Sequence, residues 1–559
     1  MIKKVSAAIL AICLAGLAAA GCGNSDESPA VQTEPTTPVE TNLSKLDMSK
    51  WKYNKDDKMY YQMGVLYCES PADEKYEKLS VFVPEVFMDA ADNSDGTFTC
   101  ELSDKMLNGY SAATAPIVMP IDTPGYYASK AWSEDEMGEY ANIVMEQVAD
   151  YTSKGFVFVY AGCRGIDEGA PTGVTDLKAA IRYVRYCDDV IAGDAENIFV
   201  YGMSGGGAQA AILGASGDSG LYDPYLESIG AVKGVSDAVA GSMDWCPITD
   251  LDTANAEYEW MMGCTRAETT AENKAISDGL ANKFAEYVNS AGFTDKDGNS
   301  LTLTESKDGI YQSGSYYEYV KSVIERSLNN YLSDTDFSNP ELHNSYGSAK
   351  KYVDDLNSDG NWVTYDETAK TASITSVADF AKHCKTATNL VVAFDQPQGV
   401  NPLFGTGDGK GCHFDKILAD VLTEVNSEYA SSYTDDLKTT DSVGNTVEQR
   451  VDMYTPLYYL MKTREGCGKS TVAKYWRIRT GIEQQNTSVT TEINLALALE
   501  NYDGVKNVDF ETVWLQGHTE AERTGDSTSN FIAWVNSCVK GLNKRAEEKR
   551  NSFFFCLDF

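Results

Sequence analysis

Ser204 sits in the run Gly202-Met203-Ser204-Gly205-Gly206, a G-x-S-x-G pattern. A serine hydroxyl is a poor nucleophile until a base takes its proton, so the pattern carries chemistry only if a histidine can reach it. The chain has four histidines: His343, His383, His413 and His518. The first three fall in a polar middle region. His518 follows VDFETVW (Val508–Trp514), which reads as a strand, and this places it on a loop beyond a C-terminal strand and makes it the expected base. A third group should orient the imidazole and stabilise its charged form. The loop between Thr480 and Asn486 (TGIEQQN) is where it is expected, and Glu483 is the carboxylate there. Asn486 is the alternative, able to orient the ring without supplying charge. An oxyanion forming at an attacked carbonyl needs two backbone N–H donors. Gly205 supplies one, and Gly125 in the loop Asp122–Tyr126 is expected to supply the other. No CxxC or Cys/His cluster with metal-ligand spacing occurs, and the chemistry requires no cofactor.

These residues must be held by strands and helices of suitable order. The apolar run Asn197–Tyr201 (NIFVY) leads directly into the Ser204 turn, and the Ala-rich stretch after it is a helix start. Further buried-strand runs are Lys78–Val83, Ala115–Pro120 and Gly155–Tyr160. Between the last of these and NIFVY, Leu177, Ala180, Ile181, Val184 and Cys187 recur at helical spacing within 176–191. Strand, helix, strand in that order implies an α/β fold, a doubly wound and mainly parallel sheet. The pattern resumes with Tyr475–Arg479, a helix over 487–499, the VDFETVW strand and a helix over 530–542. Between Cys246 and Arg450 the texture is rich in Asp, Asn, Ser, Gly and Tyr, with helices expected over 274–290 and 315–332 and a hairpin over 362–375. This reads as a large lid domain, 246–450, inserted into a core made of 46–245 and 451–559.

Several separated segments carry a family resemblance: YGMSGGGAQAA (Tyr201–Ala211), AGCRG (Ala161–Gly165), DWCPITD (Asp244–Asp250), WRIRTG (Trp476–Gly481) and QGHT (Gln516–Thr519). Together they resemble bacterial tannase-like (feruloyl/gallate esterase-like) α/β-hydrolases from about residue 50 to the C-terminus. The resemblance implies ester hydrolysis, with aromatic acyl esters among the substrates. In that family an Asp precedes the Thr-Ser pair of the acid loop, where this chain has Asn486, and a Glu-Asn step precedes Leu-Phe-Gly, where this chain has Val400-Asn401-Pro402. A serine peptidase using the same triad and a catalytically impaired ligand-binding lipoprotein remain as alternative readings.

The N-terminus bears on location. Lys3 and Lys4 precede an apolar stretch from Val5 to Ala20, followed by Gly21-Cys22. Ala19-Ala20-Gly21-Cys22 resembles a bacterial lipobox, which implies a signal peptide over 1–21, lipidation at Cys22 and a polar tether over 22–45. The expected location is the outer face of a cell membrane, held there by lipid. The 559 residues carry 46 Lys and Arg against 83 Asp and Glu, a formal charge of −37, which opposes binding to nucleic acid. The partner expected is a small-molecule ester. Asp355, Asn357, Asp359, Gly360 and Asp366 fit most of a calcium-loop spacing, but an Asp/Asn/Gly turn before a hairpin accounts for them.

Overall fold

The computed structural model describes residues 38–555, apart from 139–140, 267–268, 340–345 and 389–390 and the side chains of 135–136 and 542–555. The expected signal peptide, Cys22 and most of the expected tether lie outside the described residues. The packed body begins a few residues before 46. Glu40 and Lys233 exchange backbone hydrogen bonds at 3.2 and 3.1 Å, and Thr41 and Asn42 bond the Glu69 carboxylate.

A nine-stranded sheet forms the centre. In chain order its strands are β1 (Lys52–Asn54), β2 (Met59–Leu66), β3 (Lys78–Pro84), β4 (Pro116–Ile121), β5 (Val157–Ala161), β6 (Asp194–Met203), β7 (Gly241–Trp245), β8 (Tyr475–Gly481) and β9 (Asn507–Val513). Their spatial order is β1-β2-β3-β5-β4-β6-β7-β8-β9. Strands β4 to β9 are mutually parallel, and β1 to β3 extend the sheet antiparallel. The central parallel strands β5, β7 and β8 are buried at every position, while the edge strand β9 is buried only at its last two residues. The helix expected over 176–191 is α1 (Thr172–Tyr186), and the one after the Ser204 turn is α2 (Gly205–Ala215).

Strand β7 had not been expected from sequence as a strand. Its residues GSMDW break the apolar pattern with Asp244, which is fully buried and accepts a 2.6 Å hydrogen bond from Ser242 Oγ. After β7 the chain makes one long excursion and returns as β8, the neighbour of β7. The excursion carries α3 (Ala254–Met262), α4 (Ala271–Ala291) and α5 (Ser315–Asp334), and Val363–Asp366 pairs with Thr371–Ile374 as the expected hairpin. Buried polar contacts key it to the core. The Glu257 carboxylate on α3 accepts from Thr253, Thr490, Thr491 and Asn494, and Tyr316 Oη donates to Asn494 at 2.7 Å. The last three of those Glu257 partners belong to α6 (Thr490–Glu500), and α7 (Ser527–Phe555) closes the described chain. In the calcium-like segment, Asn357 Oδ1 accepts from the N–H groups of Trp362 and Val363 and Asp366 from those of Thr368 and Ala369, so these two side chains close turns, while Asp355 accepts from the Tyr346 hydroxyl. Among the described residues no helix is long and apolar enough to cross a membrane.

Candidate active site

Strand β6 ends at Met203, and Ser204 turns the chain into α2 with φ 60° and ψ −122°. Few non-glycine residues hold a positive φ, and the surrounding structure fixes this one. Ser204 N–H donates to Trp245 O at the end of β7 at 2.9 Å, and Ser204 O accepts from Ile248 N–H at 3.3 Å. The hydroxyl is thereby aimed over the carboxyl ends of the parallel strands.

His518 meets it there, with Nε2 and Ser204 Oγ 2.8 Å apart. The loop carrying His518 is anchored on both sides. Arg477 on β8 forms a bidentate pair with Glu522 at 2.5 and 2.7 Å, and Glu522 also accepts from Trp245 Nε1 and Asn530 Nδ2. Ahead of the histidine, Glu483 N–H donates to Gln516 O at 3.0 Å. A Cβ on Gly481 would lie 2.0 Å from Gly517 O, so the close approach of the β8 loop to the histidine loop requires glycine there.

That approach determines what holds the imidazole. Its Nδ1 is 2.8 Å from Gln484 Oε1. The expected acid, Glu483, is the neighbouring residue, and its carboxylate takes a hydrogen bond from the Leu515 backbone instead. Asn486, the alternative, stands two residues beyond Gln484 and is not the group at Nδ1. Both expectations are therefore corrected: the ring is oriented by an amide. An amide oxygen accepts Nδ1–H as a carboxylate does, and it fixes the same tautomer, with the Nε2 lone pair toward Ser204. Burial lowers the His518 pKa below its ordinary 6.5, so the ring stays a neutral base into mildly acidic solution.

The amide is itself held from behind. Gln484 Nε2 donates to Thr480 Oγ1 and to Glu492 Oε1, both at 2.7 Å. Glu492 and Lys385 are fully buried, and Lys385 Nζ donates to the carbonyls of Ile482 and Gln484. Burial raises the Glu492 carboxyl while Lys385 opposes the rise; burial lowers the Lys385 ammonium while Glu492 opposes the fall. The sequence reading missed Gln484, Glu492 and Lys385 because it sought a carboxylate touching the ring. The signal for Glu492 was an acid in the first turn of an otherwise apolar and Thr-rich helix.

The Asp122–Tyr126 loop lies against the nucleophile as expected. A Cβ on Gly205 would sit 2.6 Å from Thr123 O and Tyr126 N and 3.0 Å from Gly125 N, so only glycine allows this approach. Thr123 Oγ1 donates to Gln209 on α2 at 2.8 Å, and the Tyr126 hydroxyl donates to Ile248 O. Tyr126 and Tyr127 N–H are used inside the turn, bonded to Thr123 O and Pro124 O. Gly125 N and the Gly205 backbone therefore come together at the start of α2, beside Ser204. Among the described residues no group of His, Cys, Asp and Glu is arranged to hold a metal ion. At the position where the family has Glu-Asn, Asn401 is buried and donates to Asp395 at 2.7 Å.

A family model described as BD-FAE matches residues 112–308. No curated protein matches the chain. Solved structures do. A tannin acyl hydrolase in complex with 3,4-dihydroxybenzoate is 27% identical, with a TM-score of 0.66 over 86% of this chain and 94% of that one. Fusobacterium nucleatum tannase is 26% identical, with a TM-score of 0.66 over 86% and 95%. A tannin acyl hydrolase in complex with ethyl gallate is 27% identical, with a TM-score of 0.64 over 86% and 94%.

Proposed function

We propose that this tannase-like α/β-hydrolase is a serine esterase that cleaves small carboxylic esters, aromatic acyl esters among them, from a lipid-anchored position outside the cytoplasm. The observation that carries the enzymatic part is the 2.8 Å contact between Ser204 Oγ and a His518 whose other nitrogen is held at 2.8 Å. In this reading His518 Nε2 takes the serine proton as Oγ attacks the ester carbonyl, and the oxyanion is received by Gly205 N–H and Gly125 N–H. Collapse expels the alcohol, which takes the proton back from His518. A water then attacks the acyl-enzyme with His518 again as base, releasing the acid and restoring Ser204.

The aromatic preference is supported by the ligands named with two of the similar structures, 3,4-dihydroxybenzoate and ethyl gallate. The anchor is supported by Ala19-Ala20-Gly21-Cys22 alone. The neutral amide at His518 favours a second reading, a binding protein of weakened catalytic power.

Hydrolysis of ethyl gallate, ethyl 3,4-dihydroxybenzoate and ethyl benzoate by the wild type and Ser204→Ala tests both. The esterase reading expects turnover on the hydroxylated esters and a loss of roughly 10³-fold or more in Ser204→Ala at unchanged melting temperature. Equal rates in the two proteins, or none in either, would contradict it.

A further inference from the structure

Behind the His518 ring the hydrogen bonds run in one direction. His518 Nδ1–H reaches Gln484 Oε1 at 2.8 Å, and the Gln484 amide then donates to Glu492 Oε1 at 2.7 Å. Thr480 Oγ1, which accepts from the same amide, donates on to Glu492 Oε1 at 3.2 Å. A glutamine can be read in either amide orientation only where its neighbours permit both. Here the outward NH₂ has two acceptors, so the oxygen must face the histidine. Glu492 lies in the first turn of α6, where the helix N-terminus favours a negative charge, and Lys385 is the buried cation beside it. The other titratable groups facing this carboxylate are Glu257 from α3 and Asp250 and Cys246 from the segment after β7.

We propose that Glu492 is the charge-bearing positioning residue of this site, orienting and supporting His518 through the Gln484 amide. This rests on the serine-esterase reading. A carboxylate that touches the imidazole both selects its tautomer and stabilises the imidazolium. In this chain the two tasks are divided. Gln484 selects the tautomer, and Glu492, whose carboxyl burial pushes up to about 7, polarises the amide once it is ionised, so that the amide oxygen meets the developing imidazolium with more negative charge than an isolated amide would. Thr480, donating to the same oxygen of Glu492, and Lys385, held by the Gln484 carbonyl, keep the carboxylate and amide in register.

The test measures kcat, KM and the acid limb of kcat/KM on one aryl ester, with melting temperatures, for Glu492→Gln and for Gln484→Glu combined with Glu492→Gln. In Glu492→Gln, kcat should fall by about tenfold to 100-fold with little change in KM. The acid limb should move to lower pH, because the Glu492 carboxyl, which titrates at about 7, no longer contributes to it and only the His518 ring remains. The double variant moves the charge one hydrogen bond closer to the ring, and should recover the rate and return the acid limb to the wild-type position or above it. Wild-type kcat and acid limb in a folded Glu492→Gln would overturn the proposal. So would a double variant as slow as the single one, since a purely structural Glu492 is not replaced by a charge at 484. If Glu492→Gln does not fold, Gln484→Met cuts the chain and leaves Glu492 in place: a slower enzyme with the same acid-limb shift supports the link, and wild-type values overturn it. Ser204→Ala is assayed alongside. Activity surviving there defeats the serine mechanism itself, whereas loss there with a flat Glu492 series defeats only this proposal.

Discussion

An amide at His518 Nδ1 separates two properties that a carboxylate combines, and the neighbouring residues make this measurable. Glu483→Gln should leave turnover within about twofold, because the Glu483 carboxylate is bonded by the Leu515 backbone and not by the ring. A loss of 100-fold in that variant would restore Glu483 as the triad acid. Burial lowers the His518 pKa, so the ring itself stays neutral below 6.5, and a decline of activity that begins near pH 7 belongs to the Glu492 carboxyl, which burial raises to about 7. In Glu492→Gln, where only the ring remains to titrate, an acid-limb midpoint above 6.5 in kcat/KM would contradict the environment described for the ring. Ser204 and His518 stand 314 residues apart, and both were legible because each follows a segment that reads as a strand. Gln484 was not legible. Its role depends on which of the adjacent side chains in TGIEQQN turns toward the ring, and the contact of Gly481 with the histidine loop decides that.

The elements behind the site act as rigid mounts. Removing one partner of a buried, bidentate charge pair leaves the other uncompensated, at a cost of about 3–5 kcal/mol. Glu522→Ala should therefore lower the melting temperature clearly, since Arg477 and Glu522 are each only 6% exposed at the side chain. It should also reduce turnover, because the same pair anchors the loop bearing His518. Thermal unfolding and steady-state kinetics check the two effects, and an unchanged melting temperature would argue against the anchoring role. Strands β4, β5 and β6 announce themselves as apolar runs, and β8 and β9 as short runs of aromatic and branched residues interrupted by Arg477, Arg479, Asp509 and Glu511, so the parallel centre of the sheet can be read from sequence. Strand β7 cannot, because Asp244 is buried in it with Ser242 as partner. The antiparallel strands β1 and β2 are half-buried at most positions and carry no continuous apolar run.

At the scale of the whole molecule, the charge of −37 and the N-terminal Cys22 bear on where the enzyme works rather than how. The proposed anchor predicts that Cys22→Ser releases the protein from the membrane fraction with its esterase rate and melting temperature unchanged. Fractionation reads this, and retention of the variant on membranes would refute the lipid attachment. The excursion from β7 to β8 is tied to α6 by Glu257, so the helix that carries Glu492 is set by both parts of the chain. All of this matters to catalysis only if Ser204 is the group that becomes acylated. The direct measurement is reaction of the folded protein with a fluorophosphonate, followed by intact mass and peptide mapping. The account predicts a single adduct on Ser204, absent from Ser204→Ala. An enzyme that hydrolyses aryl esters while Ser204 stays unlabelled, or that carries the adduct elsewhere, would contradict it.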